Sequence, residues 1–197
     1  MDELGERFPA VLAAASAGDS NAFAELWRAT HPLLLRYLRV VCGDQAEDVA
    51  SETWLRVIRA LPSFVGDEQA FRGWLTVVAR NHARDLGRRA ARHPEALTAQ
   101  PPPATGHTAP DAADEALERL GTQNALRLLA ELPAAQAEMV ALRVIVGLEP
   151  AEVGRIVGRS PGAVRVAVHR ALGTLARRLT AAGVTAASDE TLIHGHG

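Results

Sequence analysis

The sequence predicts an all-α protein of two small helical domains joined by a flexible linker, and three observations carry that prediction. Apolar residues recur at helical spacing through most of the chain, and nowhere alternate with period two for long enough to build a sheet. The stretch PEALTAQPPPATGHTAP, residues 94–110, holds five prolines and no periodicity, which marks a linker. The 197 residues leave room for one ordinary domain or two small ones, since a domain typically takes roughly 100–150 residues. The organisation expected is an N-terminal segment 1–17, a first domain 18–93, a linker 94–114, a second domain 115–180 and a flexible tail 181–197.

Each element follows from local chemistry. Gly18-Asp19-Ser20 supplies a helix stop and a fresh cap before AFAELWRATHPLLLRYLRVV, which Pro32 should kink or divide. Asp44 and Glu47 have the spacing of a reciprocal capping pair and open DQAEDVASETWLRVIRAL. Leu61-Pro62 ends that helix, SFVGDEQ turns the chain, and AFRGWLTVVARNHARDLGRRAARH makes a third helix up to Pro94. At about 100° per residue from Phe71, the residues Phe71, Trp74, Leu75, Val78 and Leu86 share one side. Thr76, Arg80, Arg84 and Arg88 fall opposite, either as a solvated cationic face or as a contact surface.

In the second domain ALRLLAEL precedes Pro133, which starts PAAQAEMVALRVIVG; a turn at Gly147 and the short helix PAEVGRIVG follow. Ser160 suits an N-cap and Pro161 the first turn of a helix running to about Leu179. A short helix, a glycine-containing turn and a longer capped helix form the helix-turn-helix pattern. On the long helix Val164, Val168, Ala171, Leu172, Leu175 and Leu179 make an apolar stripe, while Arg165, Val166, His169 and Arg170 point away from it. Small residues at Gly162, Ala163, Val166 and Gly173 would let the backbone approach a major-groove floor while Arg165 and Arg170 reach bases or phosphates. An ordinary helical hairpin with exposed arginines is the bland alternative.

Charge placement matters more than the net charge of -2. All 21 basic residues are arginines. Six of them lie between Phe71 and His93 against one acid, Asp85, and six more between Arg155 and Arg178 against none. Acids gather at Asp44, Glu47, Asp48 and Glu52, and again from Asp111 to Glu118. No apolar run approaches the ~18–20 residues of a membrane span, and the acidic start MDELGERFPA is unlike a secretory signal, so a cytoplasmic protein is expected. The lone Cys42 sits in an apolar run and reads as an inert thiol. His194 and His196 form an H-x-H in the tail, read as incidental; no metal and no cofactor is expected.

In their order and spacing these features resemble the extracytoplasmic-function (ECF) group of bacterial sigma factors within the sigma-70 family, over about residues 18–180. GDSNAFAELWRATHPLLLRYLR, GDQAEDVASETWLRVIRAL and SFVGDEQAFRGWLTVVARNHARDLGRR look like that family's second conserved region. LAELPAAQAEMVALRVIVGLEPAEVGRIVGRSPGAVRVAVHRAL looks like its fourth. The resemblance implies a promoter-specificity subunit of RNA polymerase, not an enzyme, that recognises -35 and -10 promoter elements and assists melting.

By the same resemblance, Glu47, Asp48 and Glu52, with Thr53 and Arg56 alongside, would dock on core RNA polymerase. The loop Ser63–Glu68 and the helix residues Arg80, Asn81, Arg84 and Arg88 would read the -10 element of promoter DNA. Ser63, Phe64 and Asp67 offer polar edges and an aromatic wall for an unstacked base, although Phe64 serves equally as a core side chain. Trp74 and His82 read as structural. Arg165, Val166, His169 and Arg170 would enter the -35 major groove, with Val166 suited to a thymine methyl. Leu128, Leu129, Leu132 and Met139 would pack internally and leave a groove for the polymerase flap. The linker would thread polymerase channels or act as a spacer, and an anti-sigma factor, often a membrane protein, would hold the chain inactive.

Two other classes compete. A dimeric helix-turn-helix regulator would bind palindromic DNA on its own, and a helical adaptor would bind none. No Ser/His/Asp, paired-carboxylate, phosphate-loop or metal-ligand constellation appears at a spacing that supports an enzyme.

Overall fold

A computed structural model describes residues 4–92 and 124–181. Within them the chain forms helices and no strand. The first domain comprises α1 (Phe8–Ser16), α2 (Ser20–Cys42), α3 (Ala46–Ala60) and α4 (Glu68–Arg92). The second comprises α5 (124–130), α6 (Ala134–Val140), α7 (Pro150–Val157) and α8 (Pro161–Ala181).

Helix α2 is the spine of the first domain. Its Leu26, Leu33, Leu34, Tyr37 and Leu38 are buried against Val49, Ala50, Trp54 and Val57 of α3 and Phe71, Leu75 and Ala79 of α4. The Asp19 carboxylate caps it by accepting from the Asn21 and Ala22 amides at 2.8 and 2.9 Å. Gly18, at φ +95°, makes the preceding reversal in the left-handed region. Pro32 does not divide this helix, which runs unbroken through it; packing along its length outweighs one lost backbone bond.

Helix α1 adds a layer that the sequence reading left unassigned. Phe8, Val11 and Ala15 are buried at helical spacing, and the Phe8 and Phe71 rings lie 5.8 Å apart. The preceding turn is tied to α4, because the Glu68 carboxylate accepts from the Leu4 and Gly5 amides at 3.3 and 2.8 Å. The expected Asp44–Glu47 cap is absent. A 3-10 turn, Gly43–Gln45, leads into α3 with no side-chain cap, and Glu47 instead pairs with Arg39 at 3.2 Å.

In the second domain α6 continues directly into a segment widened to the π pattern, Ala141–Ile145, so the helix read from the sequence runs without a break to Ile145 with its second half widened. Arg143 closes the loop that follows by donating to the Leu148 carbonyl at 3.0 Å. Glu149 and Glu152 cap α7 reciprocally, the Glu149 amide reaching the Glu152 carboxylate at 2.9 Å. The Ser160 hydroxyl accepts from the Ala163 amide at 3.2 Å and caps α8. Between α7 and α8, Gly158 adopts φ +72°. A Cβ on Gly154 would overlap the Arg159 carbonyl oxygen, so α7 can turn this tightly onto α8 only with glycine there. Gly154→Ala is therefore expected to lower the stability of the second domain by about 1–3 kcal/mol. Circular dichroism melting that leaves the transition unmoved would refute this account of the turn.

The two domains pack on each other. Helix α6 and the widened turn after it lie against α2, and Leu148 comes close to Gly73 of α4. No described helix is long and apolar enough to cross a membrane.

Candidate polymerase and nucleic-acid interfaces

Three surfaces collect the residues singled out in the sequence. The first is the outer face of α3, where Glu47, Asp48, Glu52 and Arg56 are exposed together with Leu55 and Ile58, which are about half exposed. Thr53 does not belong to it. It is wholly buried, and its hydroxyl donates to the Val49 carbonyl at 2.6 Å, so it contributes to the helix interior rather than to docking. Leu55 and Ile58 went unnoticed in the sequence, although with Trp54 and Val57 turned inward their positions fall on the opposite side.

Beneath this face lies an aromatic cluster that fixes α3 on α2. Phe23 meets Trp54 edge-on at 5.8 Å, Trp27 stacks on His31 at 4.2 Å, and the Trp54 indole N–H donates to His31 Nδ1 at 3.1 Å. That bond needs an unprotonated Nδ1. Burial lowers the His31 pKa; Glu47 acts against this and Arg39 with it. His82 is buried with Nδ1 unpartnered, and burial lowers its pKa too, assisted by Arg56 and opposed by Glu52 and Asp85. Both imidazoles therefore titrate below their unfolded value of about 6.5. The unfolded chain takes up more protons as pH falls through that value, so the stability they contribute is full above it and declines below. Urea midpoints measured at pH 7.5, 6.5 and 5.5 should fall in that order, and less steeply in His31→Gln/His82→Gln. Equal slopes in the two proteins would sink the assignment.

The second surface is the loop before α4 with α4 itself. Ser63 and Asp67 are exposed, but each is bonded locally. The Ser63 hydroxyl donates to the Ala60 carbonyl at 2.7 Å, and Asp67 caps α4 by accepting from the Ala70 amide at 2.8 Å. Phe64 is half-buried, its ring 5.3 Å from Phe71 and 5.1 Å from Trp74, so one face anchors the loop. At the tip of this loop Val65 is 93% exposed. Asn81, Arg84 and Arg88 are also open to solvent, Arg88 paired with Asp85.

Arg80 corrects the expectation of an open cationic face. It is 6% exposed, and its Nε and Nη2 donate to the two Glu138 oxygens at 2.5 and 3.3 Å. Thr76, on the same side, is fully buried. Tyr37 also reaches Glu138, at 3.4 Å, and its burial holds the phenol protonated by raising its pKa. The Arg80–Glu138 pair was invisible to a reading made one domain at a time. Its one trace in the sequence is an acid between Ala137 and Met139, the single acid in PAAQAEMVALRVIVG.

The third surface is the outer side of α8. Val164, Val168, Ala171 and Leu175 are buried, whereas Arg165, Val166, His169 and Arg170 are exposed. Leu172, read as part of the apolar stripe, is 43% exposed and borders an open hollow with Arg143, Glu149, Arg165 and His169. Leu129, Leu132 and Met139 are buried and Leu128 partly so. Cys42 donates to the Leu38 carbonyl at 3.2 Å and burial pushes its thiol up to about 11, a poor nucleophile. Among the described residues no three His, Cys, Asp or Glu side chains gather to hold a metal ion. His194, His196 and the linker residues 94–114 lie outside the described residues.

A tight helix-turn-helix with an arginine-bearing outer face, carried behind a four-helix domain, defines a class of transcription protein, and the comparisons agree. Residues 26–93 match sigma-70 region 2 and residues 122–175 match sigma-70 region 4. The chain belongs to the ECF RNA polymerase sigma factors, and so acts in transcription initiation as a regulatory, non-catalytic subunit. It is 38% identical over 189 residues to the ECF sigma factor SigD of Mycobacterium tuberculosis H37Rv, covering 93% of this chain and 89% of that one. It is 39% identical over 167 residues to ShbA of Streptomyces griseus, covering 80% and 87%. Among solved structures it resembles CnrH, determined with the cytosolic domain of CnrY, with a TM-score of 0.59 at 23% identity over 89% of this chain and 99% of that one.

Proposed function

We propose that this sigma factor directs RNA polymerase to promoters with two spaced elements, α8 reading the -35 element and the Ser63–Glu68 loop with α4 reading and opening the -10 element. The observation that carries this reading is the outer face of α8, where four exposed residues of groove-reading type stand on a helix aimed by a glycine-tight turn. Asn81, Arg84 and Arg88 on α4, with the exposed tip Val65, supply the second contact set. Core polymerase docks on the acidic face of α3. Two domains bound to one duplex through a polymerase explain why the basic residues fall into separate blocks.

A regulatory partner of the anti-sigma class fits the same surfaces. A structural neighbour, RpoE of Bartonella quintana, was solved with the anti-sigma factor NepR; it has a TM-score of 0.59 at 22% identity, covering 80% of this chain and 96% of that one. The deciding experiment is run-off transcription from genomic DNA with reconstituted holoenzyme. Initiation should occur at a subset of promoters with a fixed spacing between two elements. A holoenzyme that opens no promoter, or free chain that binds palindromic sites as a dimer, would defeat the proposal.

A further inference from the structure

Helix α1 and the turn before it are tied to both ends of the loop assigned to the -10 element. At the far end the Ser16 hydroxyl donates to the Leu61 carbonyl at 3.4 Å, where the loop begins and where the Phe64 amide also donates, at 3.0 Å. At the near end the Leu4 and Gly5 amides reach Glu68, where the loop passes into α4. Between these ties Phe8 lies against Phe71, and the Phe64 ring meets Phe71 edge-on from the loop side. We propose that the N-terminal segment 4–16 is a brace that holds loop 63–68 in its base-reading shape, with Glu68 as the positioning residue that fastens it. This inference rests on the assignment of that loop to promoter opening. The brace lies ahead of residues 26–93, the part that matches sigma-70 region 2, so it is an addition to what that match supplies.

Glu68 is placed for fastening, not for contact with DNA. Its side chain is 14% exposed and both oxygens are engaged: Oε1 accepts from the Leu4 amide at 3.3 Å and from Arg72 Nη2 at 2.5 Å, and Oε2 from the Gly5 amide at 2.8 Å. Charge-assisted bonds of this kind are roughly twice as strong as neutral ones. An open hollow lined by Gly5, Phe8, Pro9, Asp67 and Arg72 lies beside the junction, so at this edge polar contact does more than close packing to join the segments. The loop has little else to hold it, because Ser63, Val65, Gly66 and Asp67 are exposed and bond, where they do, only to near neighbours in the chain. Ordering such a loop costs entropy, and that cost falls on the capture of an unstacked base unless the fold has met it beforehand. The brace meets it in the free protein. Recruitment through α3 and α8 does not involve the loop, so the brace acts on promoter opening alone.

The test uses holoenzyme with the full chain and promoter DNA carrying a fluorescent purine in the -10 element, whose emission rises as the strands part. Glu68→Gln turns an amide group toward N–H donors, and Gly5→Ala strains the turn at φ +52°, where the added Cβ meets nothing. Each should slow opening roughly 5- to 10-fold, with affinity for core polymerase and for the closed promoter unchanged. The double variant should open no more slowly than the slower single one, because both act on one junction. In the free chain, hydrogen exchange at the Phe64 and Ala70 amides should quicken in both variants. The brace is overturned if both variants open at the parent's rate, or if core and promoter affinity fall in step with opening, as simple loss of fold would make them. A parent that opens no promoter defeats the transcription reading and the brace with it, an outcome distinct from variants that match an active parent.

Discussion

Replacing Arg165 and Arg170 together by alanine is expected to abolish the dependence of transcription on the upstream promoter element while leaving assembly with core polymerase intact. Both side chains are exposed on the outer face of α8; the Thr174 hydroxyl donates to the Arg170 backbone carbonyl at 3.0 Å, a bond that alanine would keep. Their removal should shift stability by no more than about 0.5 kcal/mol. A contact to a base edge or phosphate is worth about 1–3 kcal/mol, so losing both should weaken promoter binding by roughly 30-fold or more. The slope of affinity against salt should flatten as well, because fewer phosphates would be neutralised. Run-off from templates with the upstream element intact or scrambled separates the outcomes. The parent should distinguish the two templates and the variant should not. Loss of core binding would mean that α8 faces the polymerase; unchanged discrimination would mean that other residues read the element.

What the sequence made legible, and what it hid, follows from the range of the interactions concerned. The outer face of α8 was readable because Val164, Val168, Ala171 and Leu175 alternate with it at helical period, and period is a local property. The caps at Asp19 and Ser160 were readable for the same reason. Arg80 was not. Its neighbours on α4 mark a polar side, and only a partner 58 positions away turns that side into an interface. Thr53 was misplaced because a threonine beside acids reads as surface, whereas its hydroxyl is satisfied by its own helix and its methyl suits the core. Helix α1 shows the opposite failure: Phe8, Val11, Leu12 and Ala15 carry a helical signal that went unassigned beside an acidic start.

Reversing two charges on α3, Asp48→Arg with Glu52→Arg, should abolish holoenzyme formation. The face has the anatomy of a protein interface: Leu55 and Ile58 are exposed apolar side chains, and Glu47, Asp48, Glu52 and Arg56 supply charge around them. Such a rim chooses the partner and speeds encounter, while the apolar centre holds it. Docking through these carboxylates calls for a basic partner surface, against which reversal would place like charges at a cost of several kcal/mol; affinity for core polymerase should then fall at least roughly 100-fold. Leu55→Ala with Ile58→Ala removes the centre and keeps the rim, so it should mainly speed dissociation, whereas the charge reversal should mainly slow association and make it less sensitive to salt. Neither pair lies in the core, so both variants should melt with the parent. Stopped-flow mixing of labelled chain with core polymerase at two salt concentrations reads both rates. Core binding that survives the reversal would move the docking surface off α3, and would leave its exposed leucine and isoleucine to be explained by another partner.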